Sequence, residues 1–122
     1  MPACDLYQGD LFRKSLAYAR GLNPDSIYIL SAKYGLVGLE DEIEPYDTTL
    51  NTMPAHERRE WSMRVLKALE SVADLNTDQF TILAGKRYRE GLVPAMSNAD
   101  FPLEGLGIGK QLKWLKEKCS DE

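Results

Sequence analysis

The chain has little of what builds metal centres and nucleophilic triads. Its 122 residues include one histidine, His56, and two cysteines, Cys4 and Cys119, near opposite ends. A single histidine excludes a paired-His metal site, and no CxxC or Cys/His spacing of a zinc centre occurs. No metal site and no cofactor are therefore expected. A clasp between Cys4 and Cys119 is geometrically conceivable, but the plainer reading is two reduced, noncatalytic thiols. No apolar run approaches the roughly 20 residues that span a bilayer. The opening MPACDLYQGD has neither the basic region nor the apolar core of a secretory signal. A cytoplasmic chain with no membrane partner is expected. Cations are outnumbered, 15 Lys and Arg against 19 Asp and Glu, giving a net charge of −4. That balance argues against tight nonspecific binding to duplex nucleic acid, yet leaves room for a local basic cleft.

What is present is the composition of one globular domain, residues 1–122, with 43% hydrophobic and 28% charged residues and no repeats. Asp10 is placed to cap a first helix, along which Phe12, Leu16 and Ala19 recur at helical spacing; Gly21 is placed to end it. Ile27–Ser31 is short, β-branched and apolar, which predicts a buried strand. Residues 32–53 show neither period and read as a long loop, a length usually tied to function. Within it, Glu40, Asp41 and Glu42 read as a solvated face. Pro54 opens a second helix with Trp61, Val65, Leu69 and Val72 along one side and His56 exposed in its first turn. Phe80–Ala84 predicts a second buried strand. Lys86–Arg89 predicts a short helix, and Ala99–Leu103 an edge strand containing Pro102. In the last helix Lys110, Lys113 and Lys116 recur every three residues on a solvated face.

Strands alternating with helices predict an α/β fold, a three-layer sandwich with a small, mainly parallel sheet flanked by helices. Ligands of such sheets bind beyond the carboxyl ends of the strands. Three loops at those ends hold the least generic residues, so they are expected to converge. Ser31, Lys33, Tyr34 and Gly35 follow the first strand. The lysine suits a phosphate or carboxylate, the tyrosine suits a base, and Gly35 suits a tight turn. Pro45 stiffens the segment that carries Tyr46 and Asp47, and a stiff segment holds one carboxylate over a cleft. Asp47 then activates water or stabilises a cationic, sugar-like transition state. The competing reading is an Asx or ST turn with Thr48 and Thr49. Gly85, Arg87 and Tyr88 open a helix where backbone N–H groups favour an anion. Glu104 precedes Gly105, Gly107 and Gly109, a GxGxG weaker than a dinucleotide fingerprint, and suits the hydroxyls of a ribose. Asp47 and Lys33 are thus the candidate catalytic residues. Ser31, Tyr34, Gly35, Tyr46, Gly85, Arg87, Tyr88 and Glu104 are the candidate substrate contacts.

Several stretches together resemble a domain family of unknown function found in bacteria and phages. They are Asp5-Leu6-Tyr7, Leu11-Phe12-Arg13, Ile29–Val37, Ile43–Asp47 with Leu50-Asn51, Leu83–Arg89, and Pro102–Leu112. The Tyr-Gly-Leu and Pro-Tyr elements are more remotely similar to the peroxide-stress YaaA family. They are also similar to a domain of archaeosine synthase that resembles uracil-DNA glycosylases. These resemblances imply a three-layer α/β domain that handles nucleobases, with a nucleotide, a single strand or a flipped base as partner. Members usually begin with a further strand ending in a Cys-Ser-x-x-Lys-like segment, which is missing before Asp5. An N-terminal truncation is therefore an expectation, as is a homodimer that covers the open strand edge. The expected activity is cleavage or exchange of a base–sugar bond. A noncatalytic nucleotide- or protein-binding module is the alternative.

Overall fold

The computed structural model describes residues 1–7 and 9–119. Its elements are α1 (Ala3–Leu6), α2 (Asp10–Gly21), β1 (Tyr28–Ser31), β2 (Gly35–Gly38), α3 (Ala55–Glu70), β3 (Phe80–Thr81), α4 (Lys86–Arg89), β4 (Ala99–Asp100) and α5 (Ile108–Cys119). Single 3-10 turns lie at Leu50–Thr52 and Val93–Ala95. Helix and strand are mixed, as an α/β class requires.

The strands do not form one mainly parallel sheet. Those described make two two-stranded sheets, and the longer pair, β1 with β2, is antiparallel. The supposed loop after β1 turns straight back on it. Ser31 faces Gly35 across a three-residue turn, and Gly35 has φ +80. A glycine in this left-handed position matches the twist of a three-residue hairpin loop, so the chain returns at once as β2. Only β3 and β4 are parallel, and they pair over two residues each. β4 stops before Pro102, which has no N–H to continue the ladder.

The β1–β2 hairpin is buried on both faces. Ile29 and Val37, opposite one another, join Ala3 and Ile43, with Leu6, Tyr7 and Phe12 packed alongside. The next pair, Leu30 and Leu36, points the other way, into the cluster of Ala32, Leu50, Trp61, Val65, Leu69 and Leu92. This period-two alternation explains why the strand reads as apolar throughout. Trp61, Val65 and Leu69 form the inward stripe of α3, and full burial of a side chain such as Val65 contributes about 1.5–3 kcal/mol. Val72 falls past the end of α3 and is 53% exposed, so the stripe is one residue shorter than its spacing suggests.

Helix ends differ from expectation in small, explicable ways. Gly9 is the N-cap of α2, so Asp10 lies inside the first turn, where its charge still favours the helix dipole. Asn23, not Gly21, takes the left-handed backbone after α2. Asp41 is more than solvated surface: its carboxylate accepts the Gly38 N–H at 2.8 Å and closes the end of β2. The N-terminal segment docks beside it, with the Ala3 N–H donating to the Asp41 carbonyl and the Cys4 N–H to the Leu39 carbonyl.

Candidate functional site

The turn after β1 is organised by one buried serine. The Ser31 hydroxyl accepts the Tyr34 N–H at 3.0 Å and donates to the phenolic oxygen of Tyr46 at 3.0 Å. From α3, the Trp61 indole N–H donates to the Ser31 carbonyl at 2.9 Å. The end of β1, the Pro45–Tyr46 segment and α3 are therefore tied at a single residue. Tyr46 also shares a hydrogen bond with the hydroxyl of Tyr7, which the N-terminal segment brings in. Rings close the remaining space. Tyr46 stands edge-on to Tyr34 at 5.9 Å and to Tyr7 at 6.4 Å, and Tyr88 stands perpendicular to Trp61 at 5.7 Å.

Each candidate residue has a definite place. Ser31, Tyr34 and Tyr46 come together directly. The Lys33 ammonium lies 5.2 Å from the centre of the Tyr34 ring, a cation–π distance. Gly35 is the left-handed residue of the turn. Tyr88 reaches the group through Trp61, and Gly85 is the N-cap of α4. Asp47 is exposed beside Tyr46 and, among the described residues, makes no hydrogen bond or ion pair. The local turn is made by Thr49 instead, whose hydroxyl accepts the Asn51 N–H at 3.2 Å. Arg87 and Glu104 are engaged elsewhere: Arg87 approaches Glu90 at 3.7 Å, and Glu104 approaches Arg89 at 3.9 Å. Thus three loops meet around Trp61, but the residues that meet are mostly hydroxyls and rings.

Tyr7 is the residue that sequence reasoning missed. It carries no periodic signal, and only closure of the N-terminal segment onto Leu39–Ile43 brings it here. Burial pushes its hydroxyl pKa well above the ordinary phenol value, and the hydrogen bond shared with Tyr46 adds to the shift. The Ser31 hydroxyl acts in the opposite direction. Tyr7 is therefore a neutral phenol at physiological pH, suited to hydrogen bonding rather than to base catalysis.

Two clefts are open to solvent, and one of them touches this cluster. One, of about 480 Å³, is lined by Cys4, Asp5, Tyr7 and Arg13, so Tyr7 belongs to both cluster and cleft. The other, of about 500 Å³, lies among Glu70, Ala73, Asp74, Leu75, Asn76 and Ala95. Burial, followed by the carboxylates of Asp5 and Glu40, raises the Cys4 thiol pKa, which disfavours a thiolate nucleophile. Cys4 is a free thiol; the side chain of Cys119, and with it the conceivable clasp, lies outside what the structure describes. Among the described residues, no three His, Cys, Asp or Glu side chains converge to hold a metal ion, and no helix is long and apolar enough to cross a membrane.

No curated protein and no solved structure matches the chain. The sequence pattern of the Family of unknown function (DUF6884) matches residues 1–117, a span that contains every residue of the tyrosine cluster. The chain belongs to this family.

Proposed function

We propose that the cluster at the end of β1 is a nucleobase site and that the protein is a glycosylase-like, nucleobase-handling domain. The observation that carries this reading is the Ser31–Tyr46 hydroxyl pair beneath the half-exposed ring of Tyr34, with the Lys33 ammonium over that ring. Aromatic faces flanked by hydroxyls suit a planar heterocycle, and an adjacent ammonium suits its phosphate. Asp47 supplies a solvated carboxylate next to Tyr46. In the proposed reaction Asp47 takes a proton from water, the water oxygen bonds to the sugar carbon as the bond from that carbon to the base nitrogen breaks, and the base leaves as an anion that takes up a proton from solvent, while Asp47 returns its own proton to solvent. The reading extends to a three-layer arrangement, to the remoter likeness with the YaaA and archaeosine synthase domains, and to a cytoplasmic protein. Mass spectrometry of free base, after incubation with nucleosides, nucleotides and single- and double-stranded DNA, tests it. Release that Asp47→Asn abolishes supports the reading; release undiminished by that substitution overturns the role of Asp47.

A second reading, a noncatalytic nucleotide- or protein-binding module, is favoured by the ion pairs of Arg87 and Glu104. They leave Lys33 and Asp47 as the candidate charges at the cluster, without a matched acid–base pair. Nucleotide-dependent thermal stabilisation without turnover supports that module. Dimerisation without any ligand response supports a structural role.

A further inference from the structure

The acidic net charge conceals a division. Helices α2 and α5 carry seven Lys and Arg against two acidic residues, Asp10 and Glu117, whereas the rest of the chain carries eight against seventeen. These two helices lie against each other, with the Tyr18 ring of α2 set 5.0 Å from the Trp114 ring of α5. Leu115 of α5 is fully buried. Lys110, Lys113 and Lys116 are exposed on the opposite side, spaced about 4.5 Å apart along the axis by the rise of 1.5 Å per residue. Arg13 and Arg20 are exposed on α2. Arg13 also lines the cleft of about 480 Å³ that it shares with Tyr7. The excess positive charge is therefore concentrated on one packed helix pair, and that pair reaches the tyrosine cluster at Arg13 of α2, in the cleft shared with Tyr7.

We propose that the exposed α2/α5 face holds the phosphate backbone of a single-stranded nucleic acid whose base stacks on the exposed Tyr34 ring of the tyrosine cluster. The choice of nucleic acid rests on the nucleobase reading of that cluster; the need for an anionic partner rests on the charge division alone. Lysines present point charges, which suit a run of phosphates of any sequence better than they suit individual carboxylates, for which the arginine fork is the better match. A single strand leaves its bases free to stack on Tyr34, whereas a duplex would first have to unstack them.

Fluorescence anisotropy with a labelled mixed-sequence 20-nucleotide DNA, measured over a range of salt, tests the proposal. The charge-neutral variant K110Q/K113Q/K116Q, checked by circular dichroism, is expected to bind at least tenfold more weakly at low salt. Its slope of log affinity against log salt is expected to shrink by about 2, since each lost phosphate contact on a single strand accounts for about 0.7. Tyr34→Ala is expected to weaken binding and leave that slope unchanged. No binding, or identical slopes for the folded glutamine variant and the wild type, overturns the proposal. So does a salt-sensitive dimer that seats the acidic half of a second copy on this face and excludes DNA. Lysine-dependent DNA binding without base release defeats the glycosylase reading alone. Base release from free nucleosides, with DNA binding indifferent to the lysines, defeats this inference alone.

Discussion

The indole N–H of Trp61 donates to the carbonyl of Ser31 at 2.9 Å inside the core, so the register of α3 determines where β1 ends. Ser31 in turn orients Tyr34 through its backbone and Tyr46 through its phenol. The cluster is thus supported from beneath by a tryptophan that never faces a ligand.

Trp61→Phe keeps most of the apolar volume and removes the donor. The Ser31 carbonyl then lies buried without this partner, at a cost of about 1–3 kcal/mol. Urea denaturation should show that loss in the midpoint with the slope unchanged. An unaltered midpoint would mean that the indole N–H does not support the turn.

Gly35 and Gly91 should resist substitution for different reasons. At Gly35 the backbone is left-handed, so Gly35→Ala costs about 1–2 kcal/mol even though its new Cβ meets Arg64 and Val65 at ordinary distances of 3.6 and 3.7 Å. At Gly91 a Cβ would stand 2.2 Å from the Ser62 hydroxyl and 2.7 Å from the Ser62 Cβ, so α3 and the chain after α4 must separate. The double variant Gly91→Ala/Ser62→Gly should recover part of what Gly91→Ala loses, whereas Ser62→Gly should do nothing for Gly35→Ala. Thermal melts of the wild type, the three single variants and the two double variants, read relative to the cost of Ser62→Gly alone inside α3, check both statements.

The Tyr7 phenol gives a pH dependence of known sign. Its folded-state pKa is raised above the ordinary value of 10.0, chiefly by burial. Its favourable contribution is fully present below the unfolded-state value and is lost as pH rises from about 10 toward the folded-state value. Stability should therefore fall above pH 10, and Tyr7→Phe should flatten that limb. Melting temperatures between pH 8 and 11 test it; an equally steep decline in the Phe variant would contradict it.

Asp47 offers a variant that separates stability from the proposed reaction. Its carboxylate is exposed and, among the described residues, makes no hydrogen bond or ion pair, so Asp47→Asn should change unfolding free energy by less than about 0.5 kcal/mol. If the proposed base release is measured, Asp47→Asn should nevertheless abolish it. A large stability loss would reassign Asp47 to a structural turn.

Much of this architecture was legible in periodicity. α2, α3 and α5 follow from apolar spacing of 3.6 residues, and β1 from its β-branched run. β2 was not, because Gly35-Leu36-Val37-Gly38 is too short and too glycine-rich to show a period. Its pairing depends on backbone geometry at Gly35, and that pairing turned a presumed parallel sheet into an antiparallel hairpin. Near the candidate site the segments with Ser31, Tyr34, Tyr46 and Tyr88 approach one another around Trp61, whereas Arg87 and Glu104, expected beside them, pair elsewhere. The pairing of Arg87 with Glu90 is an i,i+3 relation on one short helix and was readable in advance. The pairing of Arg89 with Glu104, and the arrival of Tyr7, depend on tertiary closure that no local pattern records.

The central claim is that Ser31, Tyr34, Tyr46 and Asp47 form one nucleobase site. The most direct test is a titration of the isotope-labelled protein with nucleoside monophosphates, followed residue by residue through backbone amide chemical shifts. The account predicts saturable shifts centred on Ser31–Gly35 and Tyr46–Asp47, lost in Tyr34→Ala. Shifts confined to the cleft around Glu70, Asp74 and Asn76, or none at millimolar nucleotide, would contradict it.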